Sequence, residues 1–185
     1  MGQRQYTNDI EIKKIILNNN INFFNINTKN IIYKIKEIPW IQNVKIYKKW
    51  PNIINIYLTE YEPYVKWNNH FFLNIEGHIF TLSNKIKNEF PILYGPNNSH
   101  NEVLKMYKFM IQKLKIYNLD IKILKMTNRG SWIVKLTNNI ELNIGTKNIK
   151  ERFDKFISLY PILTNNIKKN IRYIDLRYKN GIAIS

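Results

Sequence analysis

The sequence predicts an α+β protein of two modules: a small one of two helices and a β-hairpin, then a larger one whose mostly antiparallel sheet ends on an open C-terminal edge strand. Three observations carry this expectation. Four segments place apolar residues at helical spacing, short runs of period-two alternation fill most of the remainder, and the rhythm changes from helices and a hairpin to serial short strands at Pro63. A boundary there gives modules of residues 1–62 and 63–185.

Thr7 precedes Asn8 and Asp9 as a helix cap, and Ile10, Ile15, Ile16 and Leu17 supply the apolar positions that follow. A second short helix is expected from Thr28 to Glu37, with Ile31, Ile32 and Ile35 inward and Pro39 as its stop. Val44 and Ile46 alternate with Lys45 and Tyr47 in one strand. Pro51-Asn52 turns the chain, and Ile54, Ile56 and Leu58 alternate with Asn55, Tyr57 and Thr59 in the return strand.

Beyond Pro63, Tyr64 to Trp67, Phe71 to Ile75 and His78 to Leu82 read as short strands, the last two joined at Glu76-Gly77. Residues 91–96 form an apolar stretch bounded by breakers. A helix follows, with Ser99 and Glu102 spaced as a capping box and Val103, Tyr107, Met110, Ile111 and Leu114 on one face. Ile121 to Met126, Trp132 to Thr137 and Ile140 to Ile144 suggest a meander, with Asn138-Asn139 as a tight turn. A last helix from about Asn148 to Leu159 would bury Phe153, Phe156 and Ile157 and end at Pro161.

The final thirteen residues, Tyr173 to Ser185, read as one closing strand. From Tyr178 onward, Tyr178, Asn180, Ile182 and Ile184 alternate with Lys179, Gly181 and Ala183. A last strand presents an open sheet edge, which proteins blunt with charge or proline or use to add a partner's strand. Arg177 and Lys179 are the only charges close by, so the pattern leaves two readings open, an ordinary frayed end and a binding edge.

At 185 residues and 44% hydrophobic content the chain supports a packed core and is not a disordered segment. No run approaches the roughly 18 to 20 apolar residues of a membrane helix. The absence of cysteine excludes disulfides and thiolate chemistry. A net charge of +16 raises the alternative of a basic nucleic-acid-binding protein. Against it, the chain is rich in Ile, Asn, Lys, Tyr and Phe, whose codons are rich in A and T, and arginine occurs only at 4, 129, 152, 172 and 177. The lysines are dispersed as on solvated faces. The same codon bias makes stretches such as Asn18 to Asn20 weak evidence for a linker.

Catalysis is not expected. His70, His78 and His100 have no second histidine or carboxylate at ligand spacing, so neither a metal nor a cofactor is expected. The pairs Asp9 with Glu11 and Glu60 with Glu62 sit at element ends, as terminal or solvent-facing charges do. There is no phosphate-cradling glycine loop and no nucleophile elbow. Trp40, Trp50, Trp67 and Trp132 lie on or beside expected strands, where core or interface packing is the default.

A series of segments in order carries a resemblance. It includes Gly2-Gln3-Arg4-Gln5-Tyr6-Thr7, the run IPWIQNVKIYKKWPNIINIYLTEYEP from Ile38 to Pro63, Trp67-Asn68, Ile75-Glu76-Gly77 and Leu93-Tyr94-Gly95-Pro96. It continues through Asn101 to Leu104, Met126-Thr127, Ser131-Trp132, Leu159-Tyr160-Pro161 and Tyr173 to Tyr178. Together these resemble the FtsQ family of bacterial cell-division proteins.

The resemblance implies a POTRA domain over residues 1–62 and an FtsQ-type β-domain over 63–185, both periplasmic, on a single-pass inner-membrane protein at the division septum. Family members have a cytoplasmic tail, a membrane helix and a first POTRA strand ahead of the Gly-x-Arg-x-Tyr-Thr segment. The chain is therefore expected to be a fragment or shortened form, its POTRA domain incomplete at the N-terminus. The family role implied is a non-catalytic scaffold linking early and late division proteins, in which FtsB of an FtsB/FtsL pair adds a strand to the last strand of the β-domain. By resemblance Arg177 and Tyr178 match the contact pair, Gly181 the strand glycine, with Ile182 and Ala183 beside it, and Arg129 a basic residue on a neighbouring element. Asn180 stands where the family pattern has a serine. Asn43, Ile46 and Lys48 align with positions tied to recruitment by upstream division proteins, although Ile46 also suits plain core.

Overall fold

The computed structural model describes residues 6–7, 9–17, 27–82, 88–166, 171–178 and 181–185. Asn18–Asn20, Lys179 and Asn180 lie outside the described residues. In chain order the elements are α1 (Asp9–Leu17), α2 (Thr28–Lys36), β1 (Ile41–Lys49), β2 (Ile53–Glu60), β3 (Val65–Trp67), β4 (Phe71–Leu73), β5 (Ile79–Phe80) and β6 (Ile92–Tyr94). There follow α3 (His100–Leu114), a 3-10 turn at Lys115–Tyr117, β7 (Ile121–Met126), β8 (Trp132–Leu136), β9 (Glu141–Gly145), α4 (Ile149–Asn166), β10 (Tyr173–Asp175) and β11 (Ala183–Ile184). The expected α+β class is borne out. The chain divides into two compact units, Met1–Tyr64 with Phe71–Lys87, and Val65–His70 with Asn88–Ser185.

In the first unit α1 and α2 pack beside the antiparallel β1–β2 hairpin. Its core holds Ile31, Ile35, Ile38, Trp40, Val44 and Leu58, together with Phe80 from the β4–β5 hairpin. In α1 Ile12 is buried, whereas Ile10 and Leu17 are exposed. Ile12, Ile15 and Ile16 stand at i, i+3 and i+4 and share one stripe, while Ile10 and Leu17 fall on the opposite side. The Thr7 hydroxyl accepts from the Trp40 indole N–H at 3.1 Å, tying the start of the chain to β1.

In the second unit the strand order runs β11-β10-β9-β8-β7-β6-β3. β6 arises from the 91–96 stretch and pairs in parallel with both β3 and β7. β10 pairs in parallel with β9, whereas β7–β8, β8–β9 and β10–β11 are antiparallel. Helices α3 and α4 pack on this sheet and on each other through Val103, Tyr107, Met110, Phe153 and Phe156, all buried.

Three local expectations are corrected. Ser99 occupies the cap of α3, but its backbone lies at ψ 3° rather than in the extended region, and its hydroxyl donates back to the Pro96 carbonyl at 2.7 Å. Helix α4 runs through Pro161 to Asn166. Proline lacks the N–H that would reach the Ile157 carbonyl four residues back, and the Tyr117 hydroxyl donates to that carbonyl at 2.9 Å instead. Finally, the closing segment is not one strand. After β10 the Arg177 amide donates to the Asp175 carboxylate at 2.9 Å, a local side-chain turn that competes with the ladder, and the chain returns as β11 antiparallel to β10.

Candidate partner-binding edge

β11 is the outermost strand at its end of the order, and Ala183 and Ile184 are exposed. Its backbone direction follows from the ladder. Ser185 and Tyr173 exchange both hydrogen bonds, each at 3.1 Å, so Ser185 and, by alternation, Ala183 aim their backbone groups at β10. Ile184 sits opposite Ile174 between these bonded positions and aims its N–H and C=O away from the sheet. Ile182, half-buried just before β11, continues the alternation.

Gly181 precedes it with open space where a Cβ would stand, and its carbonyl accepts from Lys155 Nζ of α4 at 3.3 Å. Tyr178 projects from the turn with 59% of its surface exposed. Asn180, between them, falls outside the described residues.

Arg177 is locked by its neighbours. Its Nε lies 3.0 Å from both Asp175 oxygens and its Nη2 lies 2.6 Å from Oδ2, while Asp175 itself is buried. These bonds hold the Asp175 carboxyl below its ordinary value, against burial acting the other way, with Arg152 adding a smaller push in the same direction as Arg177. Arg152 of α4 donates to the Ile144 carbonyl at 2.7 Å and to the Arg177 carbonyl at 3.1 Å, clamping the turn to the end of β9. Gly145, at φ +81°, makes room: a Cβ there would stand 2.8 Å from Arg152 Nη1 and 3.0 Å from Arg177 Cγ.

Arg129 is exposed in the β7–β8 turn, which closes through Gly130 N–H to the Thr127 carbonyl at 2.8 Å. It lines a depression of about 550 Å³ with Asn68, Tyr94 and Lys125. β9 lies between β10 and the β8 arm of this turn, yet Trp132 at the start of β8 pairs with Gly145, on which Arg177 rests. Arg129 and Arg177 therefore occupy the same end of the sheet, two to three strand spacings or roughly 10–14 Å apart in the pairing direction.

In the first unit Asn43 is exposed beside a register shift, its Oδ1 accepting the Val44 amide at 2.9 Å. Ile46 pairs with Ile56 at the margin of the core, and Lys48 pairs with Ile54 farther along the hairpin. Alternation puts Ile46 and Lys48 on the core side of β1 and Asn43 on the other.

Asp175, Arg152, Gly145 and Lys155 escaped the sequence reading. The one available signal was a carboxylate two residues before an arginine within an otherwise apolar stretch. Among the described residues no three His, Cys, Asp or Glu are grouped to hold a metal, and no helix is long and apolar enough to cross a membrane.

Comparison with known proteins matches the chain to two families. The FtsQ-type POTRA domain covers residues 1–61, and the C-terminal region of cell division protein FtsQ/DivIB covers residues 64–177. Cell division protein FtsQ of Escherichia coli (strain K12) is 37% identical over 191 residues, spanning 99% of this chain and 69% of that protein. The FtsQ proteins of Blochmanniella floridana and Coxiella burnetii are 38% and 33% identical, over 99% and 94% of this chain and 72% of each relative.

Proposed function

The chain belongs to the FtsQ family of cell division proteins, and we propose that it is a non-catalytic scaffold of the division machinery that binds an FtsB/FtsL complex by strand addition at β11, linking early and late division proteins. The observation that carries this reading is the outward-facing backbone of Ile184 on an exposed edge strand. A partner strand pairing there would satisfy the Ile184 backbone groups that β10 does not use. Tyr178 would be its aromatic anchor, with Gly181, Ile182 and Ala183 beneath the added strand and Asn180 supplying a polar contact. Arg177, and Arg129 at the same sheet end, would receive acidic side chains through planar guanidinium geometry. In this reading the region is periplasmic, at the septum, on a protein held in the inner membrane by a single span.

Upstream division proteins would contact β1 at Asn43, Ile46 and Lys48. Because these side chains divide between two faces, such a partner would approach along the β1 edge opposite β2.

Calorimetric titration with the cognate FtsB segment tests the edge. Tyr178→Ala should weaken binding about 30-fold, the loss of one aromatic anchor. Ile184→Pro removes only an N–H that β10 does not use, so the fold should persist while binding is lost. Parent-like affinity in both variants would sink the assignment.

A further inference from the structure

We propose that the outer face and tip of the β1–β2 hairpin form a contact surface for anionic phospholipid headgroups, with Trp50 as the side chain that enters the interface. The hairpin is two-sided. Val44, Ile46, Ile56 and Leu58 turn toward the core of the first unit, whereas the opposite side carries Lys45, Tyr47 and Lys49 of β1 and Ile53 and Tyr57 of β2. On that outer side Tyr47 and Tyr57 meet edge to face with ring centroids 5.6 Å apart, and both are more than half exposed. Ile53 is 45% exposed, and Trp50, in the turn, is 79% exposed with Pro51 and Asn52 exposed beside it.

Four large, exposed apolar or aromatic side chains on one small hairpin call for a partner. Its chemistry follows from the charges around them. Lys45 and Lys49 lie on this outer face, and no acid occurs between Glu37 and Glu60, which stands at the far end of β2 from the tip. Indole and phenol rings, apolar in body with one polar atom, settle at the level of lipid headgroups, and flanking lysines reach out to phosphate while their methylene stems remain in the apolar layer. A tryptophan standing largely exposed at a turn suits a fluid layer that closes around it. A protein partner would have to supply a pocket of matching shape together with acids for the surrounding lysines.

The tryptophans make the test direct. Trp40, Trp67 and Trp132 are buried, so a change in emission on adding lipid reports Trp50. Vesicles of phosphatidylglycerol mixed with phosphatidylcholine should shift the emission to the blue and sediment with the protein, weakening as salt is raised. Vesicles of phosphatidylcholine alone should do neither at the same concentration. Trp50→Ser should reduce sedimentation at least tenfold, and Lys49→Gln about fivefold. Lys122→Gln, an exposed lysine on β7, should change it little. Sedimentation that survives Trp50→Ser, or that falls equally in Lys122→Gln, would mean that bulk positive charge binds the vesicles and would overturn the proposal. Failure of anionic vesicles to shift the emission would overturn it as well.

Discussion

At Asp175 a buried carboxylate accepts from the Arg177 amide, Nε and Nη2, so one side chain both bends the chain after β10 and orients the guanidinium that we propose meets a partner. This coupling has a pH signature. The carboxyl titrates below its usual 3.8 in the folded chain, so its contribution to stability is fully present above that value and is lost as pH falls through the lower folded value. Asp175→Asn should lower the thermal midpoint at neutral pH and abolish this part of the acid destabilisation, so parent and variant should converge toward low pH. Parallel midpoint curves down to about pH 2 would contradict the account. Core positions such as Ile31, Ile35, Val103 and Phe156 were legible because burial follows helical spacing. Asp175 was not, because nothing in an alternating pattern distinguishes a carboxylate that faces water from one that turns back on its own backbone.

Among elements, α4 shows how a sequence rule yields to packing. Pro161 predicts a helix stop, yet the hydroxyl of Tyr117 donates to the carbonyl that proline leaves without its helical donor. Tyr117→Phe should therefore cost about 1 kcal/mol in denaturant unfolding. Combined with Pro161→Ala, which restores an N–H, the cost should shrink, and strict additivity in that double-mutant cycle would contradict the compensation. The same kind of override governs the C-terminus. Alternation from Tyr173 to Ser185 suggested one strand, but the turn at Asp175–Arg177 divides it into β10 and β11. As a result the outer edge is formed by the last residues of the chain, and Tyr178 stands in the connection between them rather than within a strand. β6 was visible only as an apolar stretch, since a three-residue strand carries too little alternation to reveal itself before its parallel neighbours are known.

For the whole molecule the net charge of +16 is the most conspicuous feature of the composition and the least informative about function. Its lysines are spread over both units, and the edge proposed to take a partner relies on backbone direction, one aromatic ring and two arginines. Binding to unrelated duplex DNA should accordingly be weak and fall steeply between about 50 and 200 mM salt, as counterion release requires. Tight, sequence-dependent binding at physiological ionic strength would favour the nucleic-acid alternative instead. The amino-acid sequence by itself determined the α+β class, most of the helices and strands and the family, because periodicity, turn residues and ordered motifs are local or linear properties. Only the tertiary structure decided that β6 lies between β3 and β7, that β11 returns along β10, and that Arg177 and Arg129 share one end of the sheet. Those outcomes depend on pairing between residues far apart in the chain, whose register is set by packing and by single contacts such as Asp175 with Arg177, and no local pattern encodes them.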